Sequence, residues 1–110
     1  MNKKKFKIYD YTNGKKEAET MELGDEVYGK LEPLIKECIE NGEKFIIDFS
    51  DITSLTTKFL NNAIGNLFLN LGSEKLMNLI SFTGLDMAKK ATLRWSLSVA
   101  LEQSKTKKKI

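Results

Sequence analysis

The sequence predicts an α/β domain, a largely parallel sheet of about four strands with helices packed on it. Three features of the chain predict it. Short apolar runs alternate with longer segments whose apolar residues recur every three or four positions. Each longer segment carries one apolar stripe, as a helix covering a sheet needs. With 110 residues, 41% apolar and 30% charged, the chain can bury one core but not two. No internal repeat and no linker divides it, so residues 1–110 read as a single domain with short basic N- and C-terminal tails.

Residues 5–11 alternate, with Phe6 and Ile8 on one side, and read as a strand with one buried face. Asn13-Gly14 signals a turn, and residues 16–21 could complete a hairpin. Residues 25–41 form a helix on the stripe Val27, Leu31, Leu34, Ile35, Cys38 and Ile39. Pro33 lies inside that stripe, so the helix either kinks there or begins near it. Asn41-Gly42 supplies the stop. Residues 44–50 are nearly continuous apolar, which suits a central strand covered on both faces.

Residues 55–71 give the strongest helical periodicity, with Ser54 or Thr56 available as the cap. Asn61, Asn62, Asn66 and Asn70 fill its other face. Asparagine is a poor helix former, so this face reads either as plain composition bias or as a candidate partner surface. Residues 76–83 read as another buried strand. Residues 86–102 read as the last helix, with Asp86 as cap. Its apolar stripe takes Met87, Ala91, Leu97, Val99, Ala100 and Leu101, joined by Trp95.

Composition removes most enzyme chemistries. There is no histidine, hence no Ser-His-Asp triad, no Cys-His pair and no imidazole ligand. The one cysteine, Cys38, falls on a buried stripe and reads as a small core residue. No glycine-rich phosphate loop and no metal-ligand cluster occurs, so neither cofactor nor metal is expected. The lysine-rich N-terminus has no apolar stretch behind it, and no run is long enough to span a bilayer. A lone thiol then suggests the cytoplasm.

The net charge of +3 conceals two lysine clusters. Lys3, Lys4, Lys5 and Lys7 lie at one end, and Lys105, Lys107, Lys108 and Lys109 at the other. Between them, residues 8–104 hold 10 basic against 15 acidic residues, a net −5. An acidic body with basic ends is unlike a domain with one basic face, so nucleic acid is a minor alternative and the clusters read as solvated, frayed ends. Arg94 is the single arginine.

Asp48 and Asp51 sit at a strand exit, where open parallel sheets bind ligands. A phosphoacceptor site of the receiver type would need two further acids after the first strand, and only Asp10 is there. Asp48 therefore reads as a structural acceptor for the turn that follows, with Ser50 as its partner. That turn is rich in hydroxyls: Ser50, Thr53, Ser54, Thr56 and Thr57. They lie before a helix N-terminus, where the local dipole favours negative charge, so a phosphate added there would be sensed by a partner.

The stretch IIDFSDITSLTTKFLNNAIGNLF resembles the central segment of STAS domains, the fold of anti-sigma-factor antagonists. Asp48, Phe49 and Ser50 match the strand end of the family pattern, and Ile52 and Leu55 its apolar turn positions. Thr57-Lys58-Phe59-Leu60 suits the STAS-like family of unknown function better. The resemblance implies a small STAS-like mixed sheet with helices packed on it, and a non-enzymatic regulatory module that binds a protein, often a GHKL-type ATPase or serine kinase. It places the antagonists' phosphorylated serine at Thr57, with Thr56 where the family has aspartate and Lys58-Phe59 where it has Ser-Gly. Thr57 is thus the first candidate for phosphorylation, with Thr56 and Ser54 next. The expected partner surface comprises Asp51, Thr53, Ser54, Thr56, Thr57, Lys58, Asn61 and Asn62, and a homodimer through the asparagine face or Trp95 is a further expectation.

Overall fold

The computed structural model describes the backbone of residues 4–107 and the side chains of residues 4–103. Strand β1 (Lys4–Lys7) is followed by a 3-10 turn (Ile8–Tyr11), β2 (Glu17–Ala18) and helix α1 (Met21–Asn41). Next come β3 (Phe45–Asp48), β4 (Ser54–Leu55) and a continuous helical stretch. That stretch begins as α2 (Thr57–Leu60), widens to a π segment (Asn61–Gly65) and ends as α3 (Asn66–Leu71). Helix α4 (Ser73–Leu79), strand β5 (Ile80–Thr83) and helix α5 (Met87–Lys107) complete the order.

Three strands form a parallel sheet in the order β1-β3-β5. The helical crossovers predicted from the alternating pattern join them. β2 and β4 make a separate parallel pair, Glu17 to Ser54 and Ala18 to Leu55. The hairpin expected around Asn13-Gly14 therefore does not form. The chain leaves β1 at Lys7 because Ile8 turns inward in the 3-10 turn and is fully buried there.

Register explains the layering. Phe6, Ile47 and Phe82 lie side by side on one face, as do Phe45 and Ile80. The helices cover this face. The other face carries Lys5, Lys7, Ile46, Asp48, Ser81 and Thr83, so β3 is covered on one face and not on both. Its apolar run reads as two-sided because Ile46 is only half-buried beneath polar neighbours.

α1 begins at Met21, capped by the Thr20 hydroxyl accepting from the Leu23 amide at 3.1 Å. It runs through Pro33, so the helix does not begin there. Gly29 and Pro33 both face solvent, where water can serve the carbonyl that Pro33 leaves unpaired. Cys38 is buried, and burial pushes its thiol pKa up. A close approach decides Gly24: a Cβ there would lie 2.6 Å from the Phe59 carbonyl oxygen and 2.9 Å from the Asn62 Cβ.

Two further expectations need correction. Residues 73–79 are helix α4 and not the start of a strand. Leu76, Leu79 and Ile80 have the i, i+3, i+4 spacing of a helix, and an apolar run of this length is ambiguous. Among the described side chains of α5 the buried ones are Leu93, Ser96 and Ala100. Their spacing of three and four turns the opposite side outward, so Met87, Ala91 and Trp95 are exposed, Met87 by 88% and Trp95 by 66%.

Nor are Lys4, Lys5 and Lys7 a frayed end, although Lys4 and Lys5 are solvent-exposed as expected. Lys4, Lys5 and Lys7 belong to β1 and each faces a carboxylate: Glu37 and Glu43, Asp48, and Asp51 respectively. Lys3, Lys108 and Lys109, with the side chains of Lys105 and Lys107, lie outside the described residues. No helix among the described residues is long and apolar enough to cross a membrane.

Candidate functional site

The segment from Asp48 to Asn62 holds two polar clusters of different character. The first is the strand end. Asp48 is buried, and its Oδ1 accepts from the Ser50 hydroxyl at 2.8 Å, the Ser50 amide at 3.2 Å and the Thr83 hydroxyl at 3.0 Å. Lys5 Nζ stands 3.7 Å from Oδ2. Burial pushes the Asp48 pKa up, but the bonds from Ser50 and Thr83, with the charge of Lys5, outweigh it and hold the group below the ordinary aspartate value.

Gly84 closes this corner. Its φ is +75°, and a Cβ there would lie 2.5 Å from the Ser50 nitrogen and 2.6 Å from Asp48 Oδ1. The Phe49 amide donates to the Thr83 carbonyl at 2.9 Å, which extends the β3–β5 pairing past the strand. Asp48 and Asp51 do not converge on a cavity. Asp51 points outward, with Lys7 Nζ 2.6 Å from its Oδ2. This contact raises the Lys7 pKa, through the hydrogen bond first and the charge of Asp51 next. Asp51 adopts φ +70°, a left-handed conformation that aspartate tolerates better than most residues.

The second cluster is the hydroxyl turn. Ile52 is buried and pins its start. The Thr53 amide donates to the Lys16 carbonyl at 2.9 Å, and the Thr56 amide to the Ala18 carbonyl at 3.1 Å. The Ser54 hydroxyl donates to Glu19 Oε2 at 2.5 Å. The Thr56 hydroxyl donates to the Glu19 carbonyl at 2.7 Å and accepts from the Phe59 amide at 3.2 Å, so Thr56, not Ser54, caps the helix. Thr57 opens the helix, half-buried, and its hydroxyl has no hydrogen-bond partner among the described residues. Lys58 is exposed beside it.

The asparagine face is engaged with the rest of the molecule. Asn61 Oδ1 accepts from the buried Ser96 hydroxyl. Asn62 donates to Asp25 at 3.0 Å, and Asn70 to the Tyr28 hydroxyl at 2.8 Å. Asn61, Asn62 and Asn66 line a hollow of about 250 Å³ against Val99, Ala100 and Gln103 of α5. These bonds give the asparagines a reason to be there without a partner.

The sequence expectations therefore divide. Asp51, Thr53, Ser54, Thr56, Thr57 and Lys58 come together on one turn, and Asn61 and Asn62 lie one helical turn further on. Asp48 and Ser50 form the separate closed corner. Glu19, Lys16 and Gly84 escaped the sequence reading. The first two reach the turn through the β2–β4 pairing, and two short polar strands leave almost no periodic signal. Gly84 had one available signal, its place directly after a strand.

Comparison with curated proteins and with solved structures gives no match. Residues 24–90 match the family model of the STAS-like domain of unknown function. That span begins at the close-approach glycine of α1, contains the segment from Asp48 to Asn62 but not Lys5, Lys16 or Glu19, and ends in the first turn of α5. The chain belongs to the family of STAS-like domains of unknown function.

Proposed function

We propose that this chain is a non-enzymatic protein-binding module whose partner reads the turn from Asp51 to Lys58, and that phosphorylation of Thr57 switches that contact. One observation carries the reading. Of the five hydroxyls in the segment, those of Ser50, Thr53, Ser54 and Thr56 are bonded within the fold, and that of Thr57 is not. A hydroxyl free of intramolecular bonds can be modified without breaking the cap. A phosphate there would add roughly two negative charges beside the unpaired amides of the continuous helix 57–71.

The partner expected from the family resemblance is a GHKL-type ATPase or serine kinase. Ser54 and Thr56 are weaker acceptors because modifying either would cost a bond to Glu19. A reading through the lysine clusters has less support, since Lys4, Lys5 and Lys7 already face carboxylates.

The test is affinity capture from native cytosol with the wild-type chain and with Thr57→Glu, followed by intact-mass analysis. A partner retained by the wild type and lost from the variant, with one phosphate mapped to Thr57, is the expected result. Equal retention by both chains removes the switch. Equal retention by a Lys58→Glu, Asp51→Lys chain removes the proposed surface.

A further inference from the structure

A second surface, made by β5 and α5, shares no residue with the hydroxyl turn. Phe82, Leu85, Leu93 and Leu97 line an apolar hollow of about 230 Å³, and Lys90 and Arg94 stand at its wall. A neighbouring hollow of about 240 Å³ lies between Ala91, Arg94, Trp95 and Ser98, so Arg94 separates the two. Lys90 and Arg94 have no acidic partner among the described residues, whereas Lys89 is neutralised by Asp86 at 2.8 Å. Trp95 and Met87 leave a large apolar area in water beside them.

We propose that this face docks an acidic peptide segment of a partner protein, with one apolar side chain in each hollow and a carboxylate on Arg94 and Lys90 between them. Size and charge select this occupant. Each hollow is smaller than the roughly 300–1,000 Å³ of small-molecule sites, yet adequate for a single apolar side chain. Arginine offers a carboxylate two parallel donors, and lysine a further positive charge beside it. A second copy packing through the same face would set Lys90 and Arg94 against their own counterparts, a like-charge contact.

The test is selection from a random-peptide display library against the full chain, followed by titration of the enriched peptides. Trp95 is the single tryptophan of the chain, so its emission reports this face. Enriched peptides with an acidic excess and apolar anchors, a blue shift of Trp95 on binding, and weakening of about tenfold or more in Lys90→Glu, Arg94→Glu are the expected results. The reversed chain should instead select basic peptides. Both side chains are exposed, and an unchanged unfolding midpoint will show that the reversal spares the fold. Thr57→Glu should leave this binding unaltered, which separates it from the switch at the turn. Enrichment without acidic bias, an unmoved Trp95, or indifference to the reversal overturns the proposal. So does a Trp95 shift that appears only with self-association or only on anionic vesicles.

Discussion

The corner at Asp48 and the turn at Thr57 are both polar, both lie between β3 and the helix after it, and differ in closure. At the corner every polar group has a partner, Gly84 leaves no room, and the carboxylate is buried. At the turn the backbone is held just as firmly by Lys16, Ala18 and Glu19, yet one hydroxyl is left over. A satisfied buried carboxylate at a strand end holds structure together. An unengaged hydroxyl on a rigid mount is available for chemistry supplied by another protein. Acidity and position at a strand end would have favoured the corner as the site, and hydrogen-bond accounting favours the turn.

The largest effect expected at the corner is that of Gly84→Ala. The left-handed φ and the 2.5 Å approach to the Ser50 backbone should together destabilise the fold by about 2–4 kcal/mol, measured by chemical denaturation. Asp48→Asn should cost about 1–3 kcal/mol at neutral pH, because it removes a charged acceptor of three hydrogen bonds. Its pH dependence sharpens the contrast. The folded-state pKa of Asp48 lies below its ordinary value, so its stabilisation is complete above about pH 4 and fades as pH falls through the folded value. The gap between wild type and Asp48→Asn should therefore narrow on acidification, and a gap that widens would contradict the bond assignment.

At the turn, Thr56→Ala should cost about 1 kcal/mol through loss of the cap. Thr57→Val should stay within about 0.5 kcal/mol of wild type, since no bond is lost. A larger loss in Thr57→Val than in Thr56→Ala would erase the distinction between a structural hydroxyl and a free one.

Legibility in the sequence followed the strength of local periodicity. α1 and the stretch 57–71 were readable because their apolar residues repeat over several turns, and Thr56 was one of the two caps the sequence offered for the second, whereas the Thr20 cap of α1 lay ahead of the periodic stretch and was missed. The Asp48–Ser50 bond was readable because both partners lie on one short turn. β2 and β4 are two residues each, and no local pattern can announce a pairing across 37 positions. Helix α4 was misread because its apolar residues merge with those of β5 into one run. Trp95 was misread because tryptophan is usually counted as core, and only the packing of α5 against the helical stretch 57–71 shows that it points away.

The sequence by itself determined the alternation of strands and helices, the buried thiol, the capped turn and the family motif from Phe45 to Phe68. These depend on residues close in the chain, where spacing and side-chain type suffice. The tertiary structure decided which hydroxyl stays free, which lysines are neutralised and which face of α5 meets water. Each of these depends on a neighbour brought from far along the chain: Glu19 for Ser54, Asp51 for Lys7, and Asn61 for Ser96.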